Sequence, residues 1–265
     1  LHDASPLLAA LFLMMLALGV WLLGVRMATD PAAKNPLTGQ ILITFALSAL
    51  FASLVVVLHA SGSTDMGHGE FVFLSLLTSA AAFATAYRYA LRWPQFLALL
   101  LLFHGIGSSH AYLGHGGYFA DIADERLMAM VAALSAAFGV WHEKRLEEQE
   151  QARHVGFGHL YIIFGLLYCN LSLWFLTLPR GELEWVLVFT LAALGQLMLG
   201  ARLKDARFSG FGLVFLAIDL YTRLFEHFWD NLHKGLFFLI AGAIAVAAGI
   251  ALERYARQPR GEVSA

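Results

Sequence analysis

The sequence predicts an all-α protein, a polytopic transmembrane helix bundle of about nine spans. Two observations carry that prediction. Apolar runs recur along the whole chain at about the 20 residues a helix needs to cross a ~30 Å hydrocarbon core. The composition agrees: 59% of the 265 residues are hydrophobic and 14% are charged, with a mean hydropathy of +0.68. A soluble domain carries about 25% charged residues. The period-two alternation of a membrane β-barrel does not occur.

The spans fall at 6–27, 39–60, 71–91, 94–113, 126–143, 157–178, 183–202, 208–231 and 235–255. The chain begins at Leu1 rather than Met, which reads as a processed or trimmed form. Residues 7–23 have no basic segment before them and no clear small-x-small cleavage site after them. They read as a retained helix and not a signal peptide. The fourth span is the weakest, because Gly105-Ile-Gly107 loosens it between His104 and His110. If the count is off, that span is the one to re-enter rather than cross. The fifth runs into the mixed-charge segment Glu143–His154, which reads as a solvated helical extension with i,i+4 pairing. Asn170 and Ser172 in the sixth span and Gln196 in the seventh are candidates for interhelical hydrogen bonds. Gly156-Phe-Gly158 and Gly210-Phe-Gly212 permit close helix approach. Connections are otherwise short, so residues 1–265 read as one transmembrane domain.

Orientation follows from the basic residues. Thirteen of the seventeen Lys and Arg lie in the loops after spans one, three, five and seven or in the C-terminal tail. Only Arg126, Arg180 and Lys234 lie on the opposite side. The positive-inside rule then puts the N-terminus outside and the C-terminus in the cytoplasm. All six Trp fall near span ends, where aromatic belts form. Four helix exits share a glycine and a basic residue: Gly24-Val-Arg26, Gly139 to Arg145, Gly200-Ala-Arg202 and Gly249 to Arg254. These read either as a structural repeat or as the positive-inside bias alone.

The polar residues that matter most lie in the eighth span. On a helix at about 100° per residue, Asp219, Arg223, Glu226 and Asp230 share one stripe, with His227 at its border. Asp219 falls near the midplane, where insertion scales put about 2.5–3.5 kcal/mol on a charged residue. Ionisable residues so placed propose a functional site, here a polar lane for a small ion or solute. The competing reading is a charge cluster that neutralises itself and fixes helix register.

The outer loops gather a second set. His68 and His115 are each flanked by glycine, and His110 lies between them in sequence. Imidazoles with nearby carboxylates suit Zn²⁺ or Cu²⁺, although this spacing matches no established ligand pattern. Cys169 is the only cysteine, which excludes an intrachain disulfide and a Cys-rich metal site. Gly-x-Ser-x-Gly, His-Glu-x-x-His and P-loop motifs are all missing, which favours a non-enzyme over the one remaining nucleophile candidate, Ser108-Ser109-His110 near the outer interface. A net charge of −2 gives no reason to expect nucleic acid.

One stretch carries a family resemblance. Tyr221-Thr-Arg223, Phe225 and Phe228-Trp229-Asp230, with Gly235 to Gly242 and Leu252-Glu253-Arg254, lie within Phe211–Arg257. That stretch resembles the end of a group of bacterial membrane proteins of the domain-of-unknown-function 2157 type. The resemblance implies a multi-pass protein of the bacterial inner membrane and no particular chemistry. The function expected is binding or passage of a small ion or solute along the eighth span. The alternatives are a non-catalytic subunit or scaffold and an outer-face metal site with redox or hydrolytic chemistry. The partners expected are the lipid bilayer and either further copies of the chain or other membrane subunits.

Overall fold

The computed structural model describes residues 6–30, 32, 35–60, 67–107, 124–147, 154–178 and 183–228, with isolated helical positions at 239, 242, 243 and 246. Among them the chain is helical throughout and contains no strand. The helices are α1 (Pro6–Thr29), α2 (Pro36–Ala60), α3 (His68–Tyr89), α4 (Arg92–Gly107), α5 (Glu125–His142), α6 (Phe157–Leu176), α7 (Leu183–Leu203) and α8 (Ala206–Phe228). A single π-helical turn, Glu143–Glu147, continues α5.

Six of the eight, α1, α2, α3, α6, α7 and α8, are long and apolar enough to cross a membrane. At 16 residues α4 is only about 24 Å long. The 18 residues of α5 open on Glu125 and Arg126, which dilute its hydropathy. The ninth expected span, 235–255, lies outside the described residues apart from its isolated helical positions. The outward faces agree with a multi-pass membrane protein. Phe12, Met15, Phe73 and Leu134 are each more than 60% exposed, and apolar surface on this scale marks a face that meets a membrane or another protein.

The chain forms two compact units, Leu1–Phe189 and Thr190–Ala265, with the boundary inside α7. In the first, α1 packs along α2, α3 along α4 and α5 along α6. One core joins Val25, Ile43, Leu47, Ala82 and Ala98. The other joins Leu99, Phe103, Met128, Ala132, Tyr161 and Phe164. The α3–α4 hairpin contributes to both. In the second unit α7 and α8 pair antiparallel, because Gly212 lies against the backbone of Ala193 and Leu197 while Gly200 lies against Ser209.

Small residues decide how closely each pair approaches. A Cβ on Gly24 would lie 2.9 Å from the Gly39 carbonyl oxygen, and one on Gly139 would lie 2.7 Å from that of Gly158. The glycines of the Gly-basic exits at 24, 139 and 200 mark close helix approaches; Gly249 lies outside the described residues. Gly210, expected to help a close approach, has nothing within 4 Å among the described residues. Gly165 on α6 is pressed against backbone, since its Cβ would sit 2.5 Å from Ala136 N and 2.6 Å from Ala132 O. Backbone cannot rotate aside. We expect Gly165→Leu to lower stability by at least about 1–3 kcal/mol in thermal unfolding. Gly19→Ala, with nothing within 4 Å among the described residues, should leave the melting temperature unchanged.

Candidate functional site

The charged stripe of α8 is a connected group. Asp219 is 4% exposed. Its Oδ2 accepts a 2.5 Å hydrogen bond from the Thr190 hydroxyl on α7. Its Oδ1 lies 3.5 Å from Arg223 Nε, an ion pair outside hydrogen-bond geometry. Arg223 Nη1 donates to Glu226 Oε2 at 2.5 Å. Exposure rises along the stripe, from 6% for the Asp219 side chain to 27% for Arg223 and 35% for Glu226. The i,i+4 and i,i+3 spacings place these three side chains on neighbouring turns, as helical periodicity requires.

Two carboxylates and one guanidinium leave one formal negative charge. A buried carboxylate oxygen without a hydrogen-bond donor is costly, and a proton or a small cation would relieve it. Of the other stripe residues, the side chain of His227 lies outside the described set, as does Asp230. His110 and His115 lie outside it too, and of His68 only the backbone, at the start of α3, is described. Among the described residues no three His, Cys, Asp or Glu side chains are grouped to hold a metal.

A second polar cluster closes the α5–α6 joint, and sequence reading passed over it. Glu147 was expected on a solvated helical extension. Its side chain is instead only 11% exposed. Its Oε2 accepts from Gly156 N and its Oε1 from Gly158 N, each at 2.7 Å. His142 Nδ1 lies 3.0 Å from Oε1 and must be the donor, because a carboxylate only accepts. The cause is the start of α6. A helix leaves its first N–H groups without partners, and the N-cap here is Gly156, which has no side chain to supply one. Glu147 folds back to fill that role, and the π-helical turn delivers it. Burial pushes its carboxyl up, but the two backbone N–H groups and His142 outweigh burial and hold it below its ordinary 4.5.

The same joint is held from the α3–α4 side. Arg92 Nε donates to the Val155 carbonyl, Gln95 Nε2 donates to the Phe157 carbonyl, both at 2.8 Å, and His154 Nε2 lies 3.1 Å from the Tyr87 carbonyl. His142 is fully buried against the rings of Tyr87, Phe138, Phe157 and Tyr161. With Nε2 given no hydrogen-bond partner among the described residues, its surroundings are aromatic and closed. This cluster is a structural staple.

No protein-family model matches the chain, and no curated protein or solved structure matches it.

Proposed function

We propose that this chain binds or passes a small ion, in the first instance a proton or a small cation, along the Asp219–Arg223–Glu226 side of α8. The reading includes nine spans, an external N-terminus and a cytoplasmic C-terminus in a bacterial inner membrane, with His227 and Asp230 continuing the lane toward the outside. One observation carries it. Asp219 is nearly inaccessible on a helix apolar enough to cross a membrane, yet its Oδ1 receives no hydrogen bond from the described residues. An unpartnered carboxylate oxygen at that depth costs more than an unpartnered ring nitrogen or amide oxygen, such as His142 Nε2 and Gln95 Oε1 in the α5–α6 joint. Among the described residues the stripe is open at its deepest oxygen, sets two carboxylates against one guanidinium, and becomes more exposed toward Glu226.

The test is flux in reconstituted vesicles. Asp219→Asn keeps an oxygen for the Thr190 hydroxyl but loses the charge. We expect it to fold with an unchanged melting temperature and to lose at least about tenfold in proton or cation flux, the factor that about 1.4 kcal/mol represents. Undiminished flux in a well-folded Asp219→Asn protein would remove the lane.

A further inference from the structure

The α2, α4 and α6 helices all begin at the end of the first unit where the loops are basic, and their first turns enclose a cavity of about 380 Å³ lined by Gln40, Arg92, Trp93, Phe96 and His159. We propose that this cavity seats the phosphate headgroup of an anionic phospholipid. The site is separate from the α8 stripe and does not depend on it.

Three features argue for that ligand. The first is charge. Helix N-termini carry a partial positive charge, and Arg92 adds a full one. Glu147 offsets the α6 terminus through Gly156 and Gly158 but leaves those of α2 and α4 as they are. The second is preorganisation. Arg92 Nε is committed to the Val155 carbonyl, and its guanidinium lies so flat on Gly156 that a Cβ there would meet Cζ at 2.8 Å. Gly156 has φ +88°, which also favours glycine. The guanidinium is thereby held in place, its Nη groups without partners among the described residues, ready for the paired donation that suits phosphate.

The third is the polarity profile. Trp93 donates from Nε1 to Thr44 Oγ1 at 2.9 Å and stacks on Phe96 with centroids 5.2 Å apart. An anchored indole marks headgroup depth. Phe96 and Leu160 continue the lining in apolar residues, as a glycerol backbone and acyl chains require. A free phosphate would use the polar end alone. A choline headgroup would bring a cation into a positive site.

Thermal unfolding of the full chain in neutral detergent, followed by Trp fluorescence, tests this. Added phosphatidylglycerol should raise the melting temperature by about 5 °C near 100-fold above its dissociation constant. Phosphatidylcholine should give much less, and inorganic phosphate almost nothing. Arg92→Gln should abolish the phosphatidylglycerol shift. Because that change also removes the bond to Val155, Gln40→Leu combined with His159→Ala provides a second variant, expected to lose at least half of the shift measured from its own lipid-free melting temperature. Arg88→Gln, at the same end but outside this cavity, should retain it all. Equal shifts from phosphatidylcholine, a full shift in Arg92→Gln, or reproduction of the effect by inorganic phosphate alone would each overturn the proposal.

Discussion

Glu147→Ala should destabilise the protein by about 3–5 kcal/mol, a large fraction of the stability of a typical domain. Hydrogen bonds to a charged group contribute about 1.5–3 kcal/mol each. Glu147 accepts from Gly156 N, Gly158 N and His142 Nδ1, so its loss strands three donors at one helix start. The three act as a unit, which keeps the total below their sum. Glu147→Gln retains one acceptor oxygen and should lose about half as much. The pH dependence follows from the depressed carboxyl. A carboxylate held below its unfolded value contributes fully above about 4.5, and that contribution disappears as pH falls through the lower folded value. Denaturation of the wild type should therefore steepen below about pH 4.5, while Glu147→Gln should show a flatter acid limb. A Glu147→Ala protein within about 0.5 kcal/mol of wild type, the range of an ordinary surface change, would show that the staple holds nothing.

Arg223→Met should also be severe. Removing the cation from a buried pair leaves an uncompensated charge, which costs about 3–5 kcal/mol where both groups are buried. Arg223 is 27% exposed and Glu226 35%, so the effect belongs at or below the low end of that range. Adding Asp219→Asn should recover most of it, because the charge left at depth is then gone. A double-mutant cycle in thermal unfolding measures the coupling directly. The same pair separates the two readings of the stripe. A stable Asp219→Asn/Arg223→Met protein with unchanged flux would reduce the cluster to a register pin. A stable one without flux supports the lane.

How much was legible in the sequence depends on what each residue binds. The apolar runs locate the helices, because twenty apolar residues in a row permit little else in a bilayer. The stripe is legible too, since 3.6 residues per turn alone sets Asp219, Arg223 and Glu226 side by side. Thr190 is not legible as a partner of Asp219, because it comes from another helix, 29 positions away. Glu147 is harder still. Two of its three partners are backbone N–H groups of glycines nine and eleven residues on, and a backbone donor leaves no mark on residue type. The clue was Gly156 itself, a helix start without a capping side chain. Gln95 is similar: it is fully buried and donates to the Phe157 carbonyl, a partner that any residue would present.

If the lane exists, the Asp219–Glu226 side of α8 faces water within the membrane. Thiol labelling in intact vesicles tests it most directly, in a Cys169→Ser background that removes the only native thiol. A small charged methanethiosulfonate reagent reacts only with a hydrated thiolate. Glu226→Cys should label readily, Asp219→Cys more slowly, and Leu220→Cys, at an apolar position that is itself 55% exposed, not at all. Failure of both stripe positions to label, in protein that still unfolds cooperatively, would contradict the lane.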